Sequence, residues 1–408
     1  MRNILSYRNI PFFCLSVMTF PLIKLKKMNH GYSMILVLIL MMAVAGCKRA
    51  SNKQDIKTLF VQHEKNLVSE VHYAEGFDVY RLTGATRIVV YHSGDKARGS
   101  DDFFIVDKDI AGQYRDSSNV FTGPPHDAAV FSATQLNAFE KLGILDKVVG
   151  ISEAAYINNP FIREQVEKGN IAELAGNGNF FAEKTLIVNP SVIFYTPYSI
   201  DNLHALDITK IPRVSFNDYL ETNPLGRAEW IKFTAAFFNK SDEADRLFDV
   251  IVEEYNKYKR MAENVTDRPT VFTGKYFNGQ WFVAGGKSYA AGLFADAGAD
   301  YIWKNDRHTA SFPLEYEVVY QKAHDADYWR IMGSYGEKAS YIALEEENEL
   351  YKHFKAFTEH SVIYCNVQKT AYFENSPLEP QIVLADLIKA FHPDLLPGYH
   401  PKYFRLMK

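Results

Sequence analysis

Residues 242–264 read DEADRLFDVIVEEYNKYKRMAEN, and the organisation of the whole chain turns on them. Leu247, Ile251, Tyr255 and Tyr258 recur at i, i+4, i+8 and i+11, which puts them on one face of a helix. Asp242 and Glu243 suit the positive start of that helix, and Lys259 and Arg260 its negative end. Its 23 residues would make a rod of roughly 35 Å, enough to cross from one domain to another.

The sequence on either side of the rod has the same texture. Upstream, from Ala128, the runs "AAVFS", "KVVGIS", "VIFYTP" and "IPRVSF" alternate with helical segments such as "TQLNAFEKLG", which stops at Gly143. Downstream of Arg268-Pro269, "TVFTGKY", "ADYIW", "DADYWRIM" and "SVIYCNV" supply strand-like runs, and "QIVLADLIKAFHP" supplies a closing helix stopped by Pro393. Short apolar runs alternating with helices predict a parallel sheet in an α/β lobe. Ahead of the first lobe, "FDVYRL", "RIVVYH" and "FFIVD", between Phe77 and Phe121, predict two or three antiparallel strands. The expected fold class is α/β: two Rossmann-like lobes joined by a single long helix, with a small β-rich N-terminal extension.

The N-terminus addresses location. "MILVLILMMAVAGC" (Met34 to Cys47) is apolar over too short a span for a membrane-crossing helix, which needs ~20 residues. Lys24, Lys26 and Lys27 precede it, and Ala43, Ala45 and Gly46 lead into the cysteine, the layout of a secretory signal. Val44-Ala45-Gly46-Cys47 resembles a bacterial lipobox, which implies cleavage before Cys47 and lipid attachment to it. A second apolar patch, Ile10 to Ile23, sits further upstream, so translation is expected to begin at Met18 or Met28. The expected segments are a signal at 1–46, a tether at 47–72, a first lobe with its β extension at 73–238, the linking helix at 239–266 and a second lobe at 267–408. Of three cysteines, Cys14 would be discarded, Cys47 lipidated, and Cys365 buried in a strand, leaving no intrachain disulfide.

A net charge of −4 gives no reason to expect a nucleic-acid partner. Twenty-nine Phe and 25 Tyr fill cores and can also line a cleft. "WFVAGGKSYAAG" (Trp281 to Gly292) suggests a phosphate loop, but Trp281 occupies the position of the first glycine in G-x-x-x-x-G-K-[ST]. It reads instead as a glycine-permitted turn into a helix capped by Ser288, whose free N–H groups either face a ligand or face nothing.

Five segments, in order, carry a resemblance: "VFSATQLNAFEKLGILDKVVGISE", "NPSVIFYTPYS", "PLGRAEW", "AGGKSYAAGLFADAGADYIW" and "AYFENSPLEPQIVLADLIKAFHP". Together they resemble the class III solute-binding proteins, the ABC-importer receptors for ferric siderophores, haem and cobalamin. The similarity runs from about Asp127 onward and leaves 73–126 without a role. It implies a receptor that does no chemistry and holds no cofactor of its own, although its ligand can contain iron or cobalt. The implied partners are a small metal chelate, a permease with its ATPase, and the membrane through the anchor; the receptor itself is expected to be a monomer on the outer side of a bacterial membrane.

By the same resemblance, Ser132, Thr134, Tyr156, Asn179, Phe180, Tyr195 and Tyr198 of the first lobe fall at cleft positions. From the second lobe come Lys275, Trp281, Lys287, Ser288, Tyr289, Tyr372 and Phe373. Flat aromatic faces suit a corrin, a porphyrin or catecholate arms, and the lysines suit acidic groups; ordinary packing is the competing role for each aromatic. For docking on the permease, "LEEENE" offers Glu345, Glu346, Glu347 and Glu349, and the first lobe offers Asp201. Two alternatives stand beside this. An exported lipoprotein hydrolase would need a catalytic constellation, but there is neither a G-x-S-x-G elbow nor an H-E-x-x-H helix, and His126, His204, His308 and His324 lack metal-ligand spacing. A surface binding lipoprotein working without an ABC permease would share every feature above.

Overall fold

The computed structural model describes residues 53–176, 179–197, 207, 209–334 and 339–408. Cys47, Tyr198, Asp201 and His204 lie outside the described residues. Residues from Lys53 onward make one compact unit.

Helix α1 (Ile56–Gln62) is capped by the Asp55 side chain, which accepts from the Lys57 N–H at 2.9 Å. Strands β1 (Phe77–Leu82), β2 (Ala85–Tyr91) and β3 (Ser100–Val106) form an antiparallel meander. A fourth strand, β4 (Val120–Thr122), lies parallel to β3. The sequence pattern predicts only antiparallel pairing here; the residues between β3 and β4 cross over and return the chain in the same direction. Alternation gives this module two apolar faces. Phe104, Val106 and Ala85 pack on Ile56 and Phe60 of α1. Phe77, Val79, Ile88, Val90, Phe103 and Ile105 point the other way, into the main core.

The first lobe contains β5 (Ala128–Val130), α2 (Ala133–Lys141), β6 (Val148–Ile151), α3 (Pro160–Glu167), β7 (Ala172–Glu173), α4 (Ala182–Val188), β8 (Ile193–Tyr195) and β9 (Arg213–Ser215). The strands are parallel in the order β9-β8-β5-β6-β7. Ala128, Ala129 and Val130 are buried, as strands covered on both faces must be.

Helix α5 (Pro224–Phe238) follows, with 13 of its 15 residues buried, and that burial requires a cover on both sides. Phe233 and Phe237 meet Phe194 of β8, at ring-centroid distances of 6.4 and 5.2 Å. The same face also meets the β module: Phe77 lies 4.7 and 5.4 Å from Trp230 and Phe233, and Phe103 lies 5.8 Å from Phe237. The β module therefore packs on the first lobe through α5, which gives residues 73–126 the structural role that the sequence leaves open.

Two carboxylates hold the module in place. Glu229 of α5 accepts the backbone N–H groups of His72, Tyr73 and Ala74 at 2.7–3.0 Å. Glu221 accepts those of Glu75 and Gly76 at 2.9–3.1 Å, and the Trp230 indole N–H at 3.0 Å. Five consecutive amides are thus satisfied inside the protein, where leaving any one unpaired would cost about 1–3 kcal/mol. Gly226 permits the approach, because a Cβ there would lie 2.7 Å from the Tyr73 carbonyl.

The linking helix α6 (Ser241–Glu263) matches the predicted rod to within a residue at each end. Phe248, Ile251 and Tyr255 are buried along its inner face. Its far end is tied to the second lobe by the Tyr255 hydroxyl, which donates to Asp296 at 2.6 Å, and by Lys259, 2.9 Å from the same carboxylate.

The second lobe runs β10 (Thr270–Thr273), β11 (Tyr276–Phe277), β12 (Gln280–Val283), α7 (Tyr289–Asp296), β13 (Asp300–Tyr301), β14 (Phe312–Leu314), α8 (Tyr316–Ala323), β15 (Tyr328–Gly333), α9 (Tyr341–Glu347), β16 (Val362–Asn366), α10 (Pro380–Phe391) and β17 (Arg405–Leu406). Its main sheet has the order β13-β10-β15-β16-β17, with β17 antiparallel. A separate sheet, β11-β12-β14, packs beside it. Cys365 is buried on β16, and burial pushes its thiol up to about 12, so it is an inert core residue.

Candidate functional site between the lobes

Each parallel sheet reverses its strand order once, between β5 and β8 in the first lobe and between β10 and β15 in the second. In open α/β sheets the crevice beyond the strand ends at such a point is where ligands bind. The first of these positions presents Ser132, Thr134 and Thr196; the second presents Gly274 and Lys275. Ser132 caps α2, its hydroxyl bonded to the Thr134 hydroxyl at 2.9 Å. Gln135, one step on, donates to the Thr196 hydroxyl at 3.2 Å.

The lobes meet along a buried polar seam. Asn137 of α2 donates to the Asn375 carbonyl at 2.9 Å. The Asn158 N–H donates to the Glu374 carboxylate at 2.8 Å. Burial raises the Glu374 carboxyl above its ordinary range, and the N–H groups of Asn158 and Asn159 only partly offset this. Arg227 of α5 donates to Asp218 at 3.0 Å, and its guanidinium lies 5.5 Å from the centre of the Tyr289 ring on α7. Burial is the largest influence and opposes the Arg227 charge, but the charge and hydrogen bond of Asp218, with Tyr289 and Tyr372, together hold the group as a cation. Tyr372 completes the seam, packed edge-on against Tyr403 and Phe404 at 5.4 and 5.5 Å.

The residues selected from sequence fall into three groups. Ser132, Thr134, Tyr156, Lys287, Tyr289, Tyr372 and Phe373 lie on loops or helix starts at the strand ends. Tyr156 and Phe373 are 72% and 53% exposed, and Lys287 is exposed. Tyr289 and Tyr372 belong to the seam.

Others are occupied elsewhere. Trp281 is 0% exposed; it packs among Phe272, Trp329, Tyr351 and Phe354, and its indole N–H donates to the Thr273 carbonyl at 3.0 Å, so it offers no face to a ligand. Phe180 is buried against Phe131, with exposed Asn179 beside it. Tyr195 turns toward the β module, lining with Asp101, Asn119, Asp207, Lys210 and Arg213 a polar cavity of about 330 Å³. Lys275 and Glu347, assigned from sequence to ligand and permease respectively, pair with each other at 2.8 Å.

The glycine pair also resolves differently from a free helix start. A Cβ on Gly285 would lie 2.1 Å from the His308 carbonyl, and one on Gly286 2.3 Å from that of Trp303. The glycines admit the 303–310 segment. That segment also takes the loop's donors: Gly285 N–H bonds Ala310 O, Lys287 N–H bonds His308 O and Gly286 N–H approaches Asp306, while Ser288 caps α7 through Ala291. No phosphate-like cradle remains there.

Sequence reading passed over Arg227, Asp218, Arg330 and Glu374. Arg330 carries a legible signal, since an arginine inside the strand run "DADYWRIM" is out of place in a buried strand unless something compensates it.

A model described as "Periplasmic binding protein" matches residues 129–368, more than half of the chain. The chain belongs to the periplasmic binding protein family. This binding protein is 27% identical over 403 residues to an uncharacterised lipoprotein of Methanocaldococcus jannaschii, covering 91% of the chain and 94% of that relative. Its fold is that of the siderophore-binding protein BauB, solved with two molecules of acinetobactin and ferric iron: TM-score 0.50, 20% identity, 66% of this chain and 93% of that one. The apo haem-binding protein RhuT from Roseiflexus sp. RS-1 matches at TM-score 0.51 and 17% identity, covering 67% of this chain and all of that one. The archaeal relative extends over much more of this binding protein than the solved structures do, and at 91% coverage its alignment must reach into the β module. Among the described residues no cluster of His, Cys, Asp or Glu could hold a metal ion, and no helix is long and apolar enough to cross a membrane.

Proposed function

We propose that this binding protein is the lipid-anchored receptor of an ABC importer, delivering an iron chelate (a siderophore or haem) or a corrinoid to its permease. The observation that carries the reading is a strand-order reversal in each of two α/β sheets, joined by a single helix buried along one face and tied at its far end to Asp296. A helix held this way restricts the lobes to a small rocking motion, which suits capture and release of a bulky ligand. BauB and RhuT, which share the fold, are by name a siderophore and a haem binder. Of the rings expected at the cleft, Tyr156 and Phe373 are exposed and available to a flat chelate. With Glu347 engaged by Lys275, permease docking on this lobe falls to Glu345 and Glu346, exposed on α9.

The test is thermal unfolding against cobalamin, cobinamide, haem and a panel of ferric siderophores. A ligand that binds only the native state adds about 2.7 kcal/mol at 100 times its Kd, a clear shift in the midpoint. One responding class names the cargo; a flat response to all of them counts against a chelate receptor.

A further inference from the structure

The loop between helix α6 and Pro269 reads Asn264-Val265-Thr266-Asp267-Arg268. Asn-x-Thr, with x other than proline, is the acceptor pattern for sugar transfer to an asparagine amide. The chain holds three Asn-x-Ser/Thr triplets, and only this one has the chemistry and the exposure together. Asn189-Pro190-Ser191 carries the forbidden proline. At Asn239-Lys240-Ser241 the hydroxyl is closed off, because Ser241 is buried and bonded to the Arg81 guanidinium. In Asn264-Val265-Thr266 the burial alternates. Val265 is half-buried with its side chain against Gly298, so close that a Cβ on that glycine would lie 2.7 Å from it. Asn264 and Thr266, on either side of this anchor, are exposed, and among the described residues neither side chain has a hydrogen-bond partner.

We infer that Asn264 is a site of N-linked glycosylation. The inference goes beyond the receptor reading and rests only on the exported location that reading contains. The donor is a sugar chain activated as a lipid phosphate ester, supplied with its transferase by the membrane that the protein crosses. Asn264 Nδ2 bonds to the first sugar carbon as the bond from that carbon to the phosphate oxygen breaks. The lipid phosphate leaves with the electron pair, the amide gives up one proton, and the Thr266 hydroxyl is the contact by which the acceptor is recognised. Thr270 and Asp300, which open the paired strands β10 and β13, follow shortly after Asn264 and Gly298. The site therefore lies at the N-terminal edge of the second sheet, whereas the crevice lies beyond the opposite strand ends. A sugar chain is bulky and solubilising; on this edge it leaves the crevice open and holds the far end of the strut in water.

Protein isolated from the membranes of its own host is digested with trypsin, and the peptides are weighed by mass spectrometry. Residues 261–275 are released as one peptide, since the Arg268-Pro269 bond resists cleavage. The expected result is an added sugar mass on this peptide in most copies, with residues 233–240, which hold Asn239, bare. Asn264→Gln and Thr266→Ala, expressed in the same host, should both lose the added mass, and Thr266→Ser should keep it. Both positions are exposed, so these substitutions should leave the folding of the polypeptide intact.

A 261–275 peptide that is bare in most copies overturns the inference, and so does an added mass that survives Asn264→Gln. The N-terminal peptide of the same sample keeps the two readings apart. A chain that begins at a lipid-modified Cys47 yet is bare at Asn264 leaves the receptor reading standing and overturns this one. A chain that keeps the segment ahead of Cys47 and stays in the cytosol overturns both. Sugar on Asn264 with no response to any chelate supports the site and counts against a chelate as cargo.

Discussion

Helices α5 and α6 are separated by two residues and are of similar importance to the architecture, yet they are built on opposite plans. In α6 the apolar residues occupy one stripe and the opposite face is charged, as befits a strut lying against two lobes and open to water. In α5, Leu225, Ala228, Trp230, Ile231, Phe233, Ala235, Ala236, Phe237 and Phe238 circle the axis, and nearly every residue is covered. A helix apolar on all sides has to be a central element. The difference shows that the β module is part of the casing around α5, which β8 and α6 share.

Three substitutions probe that contrast. The largest effect is expected from Trp230→Ala, which empties the space between Phe77, Phe216 and Phe233 and removes one of the three donors to the Glu221 carboxylate. The loss should be about 3–5 kcal/mol in denaturant unfolding, with module and lobe unfolding together; a separate early transition of the module would show that it is an appended domain after all. Next is Glu229→Ala, which leaves the amides of His72, Tyr73 and Ala74 without acceptors. A cost of about 2–4 kcal/mol is expected, together with new protease cleavage near residues 70–76, and an unchanged digestion pattern would mean that packing alone holds the junction. The smallest is Val250→Asn on α6, where the side chain is 54% exposed. Its effect should stay within about 0.5 kcal/mol, and a larger loss would mean that this face of the strut is covered in the native protein.

The parts of the fold readable from sequence were those governed by local spacing. The periodicity of 242–264 predicts α6 almost to the residue, and each apolar run from "AAVFS" to "SVIYCNV" is a strand or contains one. Parallel pairing of β4 and the small sheet beside β10 depend on which segments meet, and no spacing encodes that. The all-round apolar character of α5 was present in "PLGRAEWIKFTAAFF" and implies two covers; only the identity of the second cover needed the structure. The site was less legible because its residues are chosen by direction. Trp281 and Phe282 are neighbours, one fully buried and the other exposed. Lys275 and Glu347 are 72 positions apart and neutralise each other, so their types alone suggested two functions where there is one ion pair. Seam residues are brought together only by the packing of one lobe on the other.

The grip of Glu229 and Glu221 on residues 72–76 also has a mechanical meaning. Any pull arriving through the chain ahead of Lys53 reaches the lobes by way of the β module, and there it meets five amides hooked onto two carboxylates of the first lobe. Bonds arranged side by side share a load, and this group anchors into α5 and the loop before it. A molecule moored by its N-terminus would thus pass the strain of its mooring through this grip into the first lobe.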